Sequence, residues 1–198
     1  MRSRLLALVA GAAAAVCIVG CAEVPHQSIH DAKKALEQAE KAGAELYAPS
    51  QFKATQVSFD LAMKEISEEN KKIPFMRKYN KIIEALRSTI SAAQSTMAAV
   101  ESAKTRIRTE TAGMIRQADA SADTMAALLR SAARKKKNTG TLGAELDSAK
   151  AAIGIARQAF GTGNLLAAKE KITAAEEMLA AVAKNVRKLM PVRKAKKR

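Results

Sequence analysis

Ile82-Ile83-Glu84-Ala85-Leu86-Arg87-Ser88-Thr89-Ile90-Ser91-Ala92-Ala93-Gln94-Ser95-Thr96-Met97-Ala98-Ala99-Val100 is the stretch on which the fold turns. Its residues Ile82, Leu86, Ile90, Ala93, Met97 and Val100 begin a stripe that continues through Ala103, Ile107, Thr111, Met114, Ala118, Ala122, Met125, Leu129 and Ala132. The mean step is about 3.6 residues, the period of an α-helix, and Thr111 is its one polar member. The spacing therefore predicts a long amphipathic helix over residues 75–137. No proline falls in that span, and Gly113 is its only glycine. Unbroken, such a helix would extend roughly 95 Å at 1.5 Å per residue. Gly113 is the expected place for a bend, because glycine costs about 1 kcal/mol in a helix interior.

On both sides the chain is punctuated as helical hairpins are. Ser28-x-x-Asp31 resembles a capping box, with Asp in place of the usual Glu or Gln. It predicts a first helix from Asp31 to Tyr47, with Ala35, Leu36, Ala39, Gly43 and Leu46 on one face. Ala48-Pro49-Ser50 breaks it, since proline suits the first turn of a new helix. A second helix to Lys72 carries Phe52, Phe59, Met63 and Ile66 at helical spacing, and Pro74 closes this hairpin, residues 31–74. Beyond the long helix, Asn138-Thr139-Gly140-Thr141 is a turn. A fourth helix runs to Phe160, and Gly161-Thr162-Gly163-Asn164 turns into a fifth. Leu165, Ala168, Ile172, Ala175, Leu179, Val182, Val186 and Leu189 form its seam, and Pro191 ends the second hairpin, residues 138–190.

Composition agrees with this pattern. Hydrophobic residues make up 48% of the chain, yet aromatics only 3% with no Trp, and alanine supplies much of the apolar fraction. Small side chains permit close helix approach, and period-two alternation of β-branched residues does not occur. The expected class is all-α: an elongated antiparallel helical bundle or coiled coil, two helical hairpins on one long central helix. The hairpins also echo one another. Ala48-Pro49-Ser50-Gln51-Phe52-Lys53-Ala54 lines up with Gly161-Thr162-Gly163-Asn164-Leu165-Leu166-Ala167, Phe59 with Ile172, and Ala62 with Ala175. The helices before each turn share Ala-Lys starts at Ala32-Lys33 and Ala149-Lys150.

Residues 1–20 have the parts of a secretory signal: Arg2 and Arg4, an apolar run from Leu5 to Val19, then small residues. The run is shorter than the roughly 20 residues a spanning helix needs. Ile18-Val19-Gly20-Cys21 resembles the lipobox of bacterial lipoproteins. The resemblance implies cleavage before Cys21 and its acylation, leaving residues 21–30 as a lipidated tether. Cys17 would leave with the signal, so no disulfide framework is expected in the mature chain. By likeness to enterobacterial lipoproteins, Ala22 after the cysteine implies the outer membrane, facing the periplasm.

Ala42-Gly43-Ala44-Glu45-Leu46-Tyr47-Ala48-Pro49 resembles a helical-hairpin domain of unknown function in envelope lipoproteins, known by a Gly-Ala-x-x-Tyr-Ala-Pro signature between Ala- and Lys/Glu-rich helices. The likeness covers Asp31 to Ile66. In some relatives the hairpin precedes a peptidoglycan-binding domain of the outer-membrane-protein-A type; here a long helix, a second hairpin and a basic tail follow instead. The Ala159–Asn164 turn is faintly similar to a tetratricopeptide unit without its large aromatics. A looser likeness is to the major helical lipoprotein tied to the wall through a C-terminal lysine. Here Lys197 precedes a final Arg198, which argues against direct covalent attachment.

Charge is uneven. Residues 22–72 carry nine acidic and seven basic side chains, whereas residues 73–198 carry ten acidic and twenty-five basic. The excess gathers in Arg134-Lys135-Lys136-Lys137 and in the tail, residues 191–198, at Arg193, Lys194, Lys196, Lys197 and Arg198. In a cytosolic protein this balance would suggest nucleic acid. In an exported one it suggests anionic lipid, lipopolysaccharide, cell-wall polymer or an acidic protein, and nucleic acid is not expected. Arg134–Lys137 fits either a binding patch or a complement to the negative end of the long helix.

The chemical inventory is sparse. His26 and His30 have i, i+4 spacing but no evident third ligand, so neither metal nor cofactor is expected. No P-loop, nucleophile elbow or Cys-x-x-Cys pair occurs. Glu65, Glu68 and Glu69 read as a solvated charge pattern beside Lys64, Lys71 and Lys72. Met97, Met114, Met125 and Met178 read as packing. The expectation is a non-catalytic, lipid-anchored envelope spacer or scaffold, with Cys21 as the lipidation site and the basic tail contacting an anionic partner such as peptidoglycan. The alternative is a helical module binding another envelope protein or a second copy of itself.

Overall fold

A computed structural model describes residues 23–189, and every regular element among them is a helix. In chain order they are α1 His26–Lys41, α2 Ala44–Tyr47, α3 Pro49–Asn70, α4 Asn80–Arg134, α5 Leu142–Gly161 and α6 Leu165–Leu189. A 3-10 turn, Pro74–Met76, lies between α3 and α4. The all-α expectation therefore holds. The signal segment, Cys21 and the basic tail from Pro191 to Arg198 lie outside the described residues.

The chain divides at Glu101 and Ser102 into two compact units, and α4 contributes to both. In the first unit, Ala32 from the start of α1 packs with Ala62 and Ile66 near the end of α3, and with Tyr79, Ile82 and Leu86. At the opposite end Ala39 and Ala44 meet Phe52 and Val100. The helices thus run up, down and up. Alanines face inward on α1, at Ala32, Ala35 and Ala39, which brings backbones close and leaves the larger side chains of α3 and α4 to fill the space. In the second unit Ile115, Ala118, Ala122 and Leu129 of α4 share one core with Leu146, Ile153, Ile172 and Leu179 of α5 and α6. Ion pairs mark the register. Arg157 Nη2 reaches Asp119 Oδ2 at 2.7 Å, and Lys169 Nζ reaches Glu110 Oε2 at 2.9 Å.

Helix α4 runs without interruption through Gly113. A side chain at Gly113 would meet nothing within 4 Å, which makes this glycine a tolerated surface residue. The buried face of α4 also differs from the predicted stripe. Thr89 and Thr96 are buried where Ile90 and Met97 were expected, and those two are only half-buried. Ile82, Thr89 and Thr96 repeat every seven residues, as do Leu86, Ala93 and Val100. A 3.5-residue repeat is the seam of coiled-coil packing, and an average step of 3.6 drifts off it. At Ile107, Thr111 and Ile115 the buried residues step by four, which shifts the seam around the helix.

Boundaries moved for identifiable reasons. Helix α1 begins at His26, with Pro25 at its N-cap, so Ser28 and Asp31 lie inside it and no capping box forms. Instead Gln27 Nε2 donates to Asp31 Oδ1 at 2.8 Å. The predicted first helix ends early because Gly43 adopts φ +94°, and α2 is a separate single turn on which Leu46 stays 67% exposed. On α3, Thr55 and Ala62 are buried, whereas Met63 is exposed.

The internal echo acquires a structural form. Ala32 and Ala149, like Ala39 and Ala156, are equivalent buried pairs 117 residues apart. Phe52 and Leu165, Thr55 and Ala168, Ala62 and Ala175, and Ile66 and Leu179 are buried pairs 113 residues apart. The four-residue difference is the length of α2, Ala44–Tyr47. One extra turn separates two hairpins with the same buried register.

Candidate functional site

Of the predicted site residues, Cys21 and the cations Arg193, Lys194, Lys196, Lys197 and Arg198 lie outside the described residues. Described residues close to both segments are packed. Val24 packs against the core formed by Ile66, Tyr79 and Ile82, and Leu189 packs against the core of the second unit.

The run Arg134–Lys137 has a structural job. The Lys136 N–H donates to Ala133 O at 2.9 Å and the Lys137 N–H to Ala132 O at 3.1 Å, while Lys136 has φ +54°. This pairing closes a helix C-terminus with one residue in the left-handed conformation. The four cations, all exposed, stand at the negative end of α4.

The best-defined surface feature is the connection Lys71-Lys72-Ile73-Pro74-Phe75-Met76-Arg77-Lys78-Tyr79, part of which had been assigned to the long helix. Pro74 opens a tight 3-10 turn instead, and Ile73 and Arg77 are extended on either side. Arg77 folds back over the end of α3. Its Nε donates to Lys72 O and its Nη2 to Asn70 O, each at 3.0 Å. The Asn70 carbonyl ends α3 and Lys72 lies just beyond it, so the guanidinium acts as a cap on this helix end. The Lys78 N–H donates to Glu69 Oε2 at 3.0 Å. Buried Tyr79 sends its hydroxyl to Asn70 Oδ1 at 2.5 Å. The two ends of the connection are thereby pinned.

What it presents outward is apolar. Ile73 is 52% exposed, Phe75 81% and Met76 55%. Cations surround it. Lys71 Nζ bonds Glu68 Oε1 and Lys72 Nζ bonds Glu69 Oε1, each at 2.7 Å. The Lys71 hydrogen bond and charge hold the Glu68 carboxyl below its ordinary range. For Glu69 the Lys72 hydrogen bond is the larger cause, followed by the Lys78 N–H. An adjoining groove of about 830 Å³ is lined by Leu61, Lys64, Glu65, Arg77 and Lys81 among others. The signal was present in the sequence as an apolar tetrapeptide with proline between two pairs of cations. It was obscured because Phe75 and Met76 also fit a helix start.

The remaining predicted residues separate cleanly. His26 and His30 are exposed on α1, and no group of three or more metal-ligating side chains occurs among the described residues. Met97, Met114 and Met125 pack against the cores as expected, whereas Met178 is 42% exposed. No helix among the described residues is long and apolar enough to cross a membrane. No family model matches this chain, and neither the curated proteins nor the solved structures contain a match to it.

Proposed function

We propose that this is a non-catalytic, lipid-anchored protein of the bacterial cell envelope that acts as a spacer or scaffold. Cys21 carries the lipid at the outer membrane. The basic residues Arg193, Lys194, Lys196, Lys197 and Arg198 grip an anionic envelope partner, with the cell wall as the leading candidate. The observation that carries this reading is the lipobox-like Ile18-Val19-Gly20-Cys21 at one end of a chain whose other end holds the cationic run. Helix α4, fifty-five residues long and shared by two bundles, suits a protein whose work is to hold two attachments in one chain. The likeness of residues 31–66 to the envelope-lipoprotein hairpin supports the same compartment.

Co-sedimentation with purified sacculi, using the chain with and without residues 192–198 across a salt series, tests it. Binding that needs the tail and weakens with salt is expected, because phosphate and carboxylate contacts are screened. No binding at low salt removes the wall from consideration. A second reading, a helical module for another envelope protein, draws on the exposed Val57 and Leu61, one turn apart on α3. Its signature is a mass in solution that rises with concentration or with an added partner.

A further inference from the structure

We infer that the tip Ile73-Pro74-Phe75-Met76 is a second membrane contact, which dips into the interface of an anionic bilayer beside the N-terminal anchor. The inference rests on the lipid-anchor reading above for its orientation, but its chemistry stands on the tip itself. Three large apolar side chains within four residues face solvent, and Phe75 is the most exposed large hydrophobic residue described. Isolated exposed apolar residues need no explanation, whereas a contiguous cluster does. This cluster is also held in shape. Arg77 caps α3 on one side and the Tyr79–Asn70 bond fixes the other, so little ordering is lost when the tip inserts.

Charge chooses the occupant. Lys64, Lys71, Lys72, Arg77, Lys78 and Lys81 surround the tip and its groove, against Glu65, Glu68 and Glu69. Basic side chains beside an apolar wedge match the layering of an anionic headgroup region over acyl chains. Long Lys side chains can lie along apolar surface and keep their ammonium groups among the headgroups.

Position supplies the third argument. Val24 packs in the same core cluster as Ile66, Tyr79 and Ile82, so the start of α1 and the α3–α4 connection share one end of the first unit. Cys21 is three residues before Val24, a reach of about 10 Å at most for an extended chain. An acyl chain on Cys21 therefore holds this same end at the lipid surface. A lipid anchor reinforced by a basic, apolar patch is a more durable attachment than a single acyl chain.

The chain contains no Trp, so Phe75→Trp introduces a lone indole at the tip. The full chain carrying it is purified from membranes and reconstituted into phosphatidylglycerol vesicles with brominated acyl chains, and in parallel into phosphatidylcholine vesicles. The expected result is a blue-shifted emission quenched by bromine, more strongly with the anionic lipid. Adding Ile73→Asp and Met76→Asp, both at exposed positions, abolishes the quenching while helicity is unchanged. Water-like, unquenched emission in both vesicle types overturns the inference. A blue shift without bromine quenching also overturns it and assigns the tip to a protein surface. Mass analysis of the N-terminal peptide reads the anchor separately. An acylated Cys21 with an unquenched indole sinks only the tip contact. An unmodified Cys21 with a quenched indole sinks only the anchor.

Discussion

The hydroxyl oxygens of Thr55 on α3 and Thr96 on α4 lie 3.5 Å apart in the buried interior of the first bundle. Each hydroxyl also turns back on its own helix, Thr55 to Gln51 O and Thr96 to Ala92 O, both at 2.9 Å. Such back-bonding satisfies a polar group without a partner helix, which is how threonine occupies a seam otherwise made of apolar side chains. Thr96→Val is expected to cost less than about 1 kcal/mol, since it keeps the β-branched shape and leaves Thr55 bonded. Thr96→Leu should cost about 1–3 kcal/mol by overpacking a close helix contact. Urea denaturation followed by circular dichroism measures both. A larger loss for Val than for Leu would show that the hydroxyl, and not the space, governs this position.

Thr111 is the contrasting case. It is fully buried on α4, yet its Oγ1 has no hydrogen-bond partner. A desolvated hydroxyl left unpaired costs free energy that a methyl group of similar size does not. Thr111→Val is therefore expected to stabilise the second bundle by about 1 kcal/mol. Thermal unfolding of the two proteins side by side checks this. An unchanged or lower midpoint would point to an ordered water on the hydroxyl.

These threonines show where sequence reading stops. Class, hairpins and the long helix were legible because alanine-rich amphipathic repeats and Pro/Gly punctuation are local signals. The choice between Thr89 and Ile90, or Thr96 and Met97, depends on whether the seam repeats every 3.5 or 3.6 residues. That is set by the partner helices and not by α4 itself. Likewise Gly43 was read within a helical face, because the turn it makes is a property of its φ and not of its neighbours. The tip at Ile73–Met76 was missed for a related reason. Its exposure results from Arg77 and Tyr79 bonding backwards to α3, contacts between residues five to nine apart that no helical period encodes. Cys21 and the basic tail were legible only as motifs.

The two hairpin ends give a reciprocal pair of substitutions. Lys136 and Gly163 both occupy left-handed positions that terminate helices, at φ +54° and +82°. Asn164 N donates to Ala159 O at 2.9 Å and Gly163 N to Phe160 O at 3.1 Å, the same pairing seen around Lys136. A side chain at such a position carries a penalty of roughly 1–2 kcal/mol that glycine escapes. Lys136→Gly should raise stability by about 1 kcal/mol, less any loss of favourable charge at the end of α4. Gly163→Ala should lower it by a similar amount, although no atom lies within 4 Å of the new methyl. Chemical denaturation distinguishes the backbone effect from charge, because the charge part alone fades with salt.

The α3–α4 connection should loosen in acid. Glu68 and Glu69 have carboxyls held below their ordinary range, first by the hydrogen bonds from Lys71 and Lys72. A carboxyl whose folded value is depressed contributes stability above its unfolded value, and that contribution is lost as pH falls through the folded value. Protonating Glu69 also weakens its acceptance of the Lys78 N–H, one of the bonds that shapes the connection. Glu68 is exposed and Glu69 half-buried, and both bond only within or beside the connection, so the effect is local and does not unfold the bundle. Amide exchange at Lys78, corrected for the intrinsic pH dependence of exchange, should lose protection as pH drops below the ordinary carboxylate range. Glu69→Gln should remove most of that pH dependence and Glu68→Gln much less. Arg77→Ala should deprotect the connection at every pH, because it removes two hydrogen bonds to backbone carbonyls. If Glu69→Gln leaves the acid response intact, the bond from Lys78 does not control the shape of the tip.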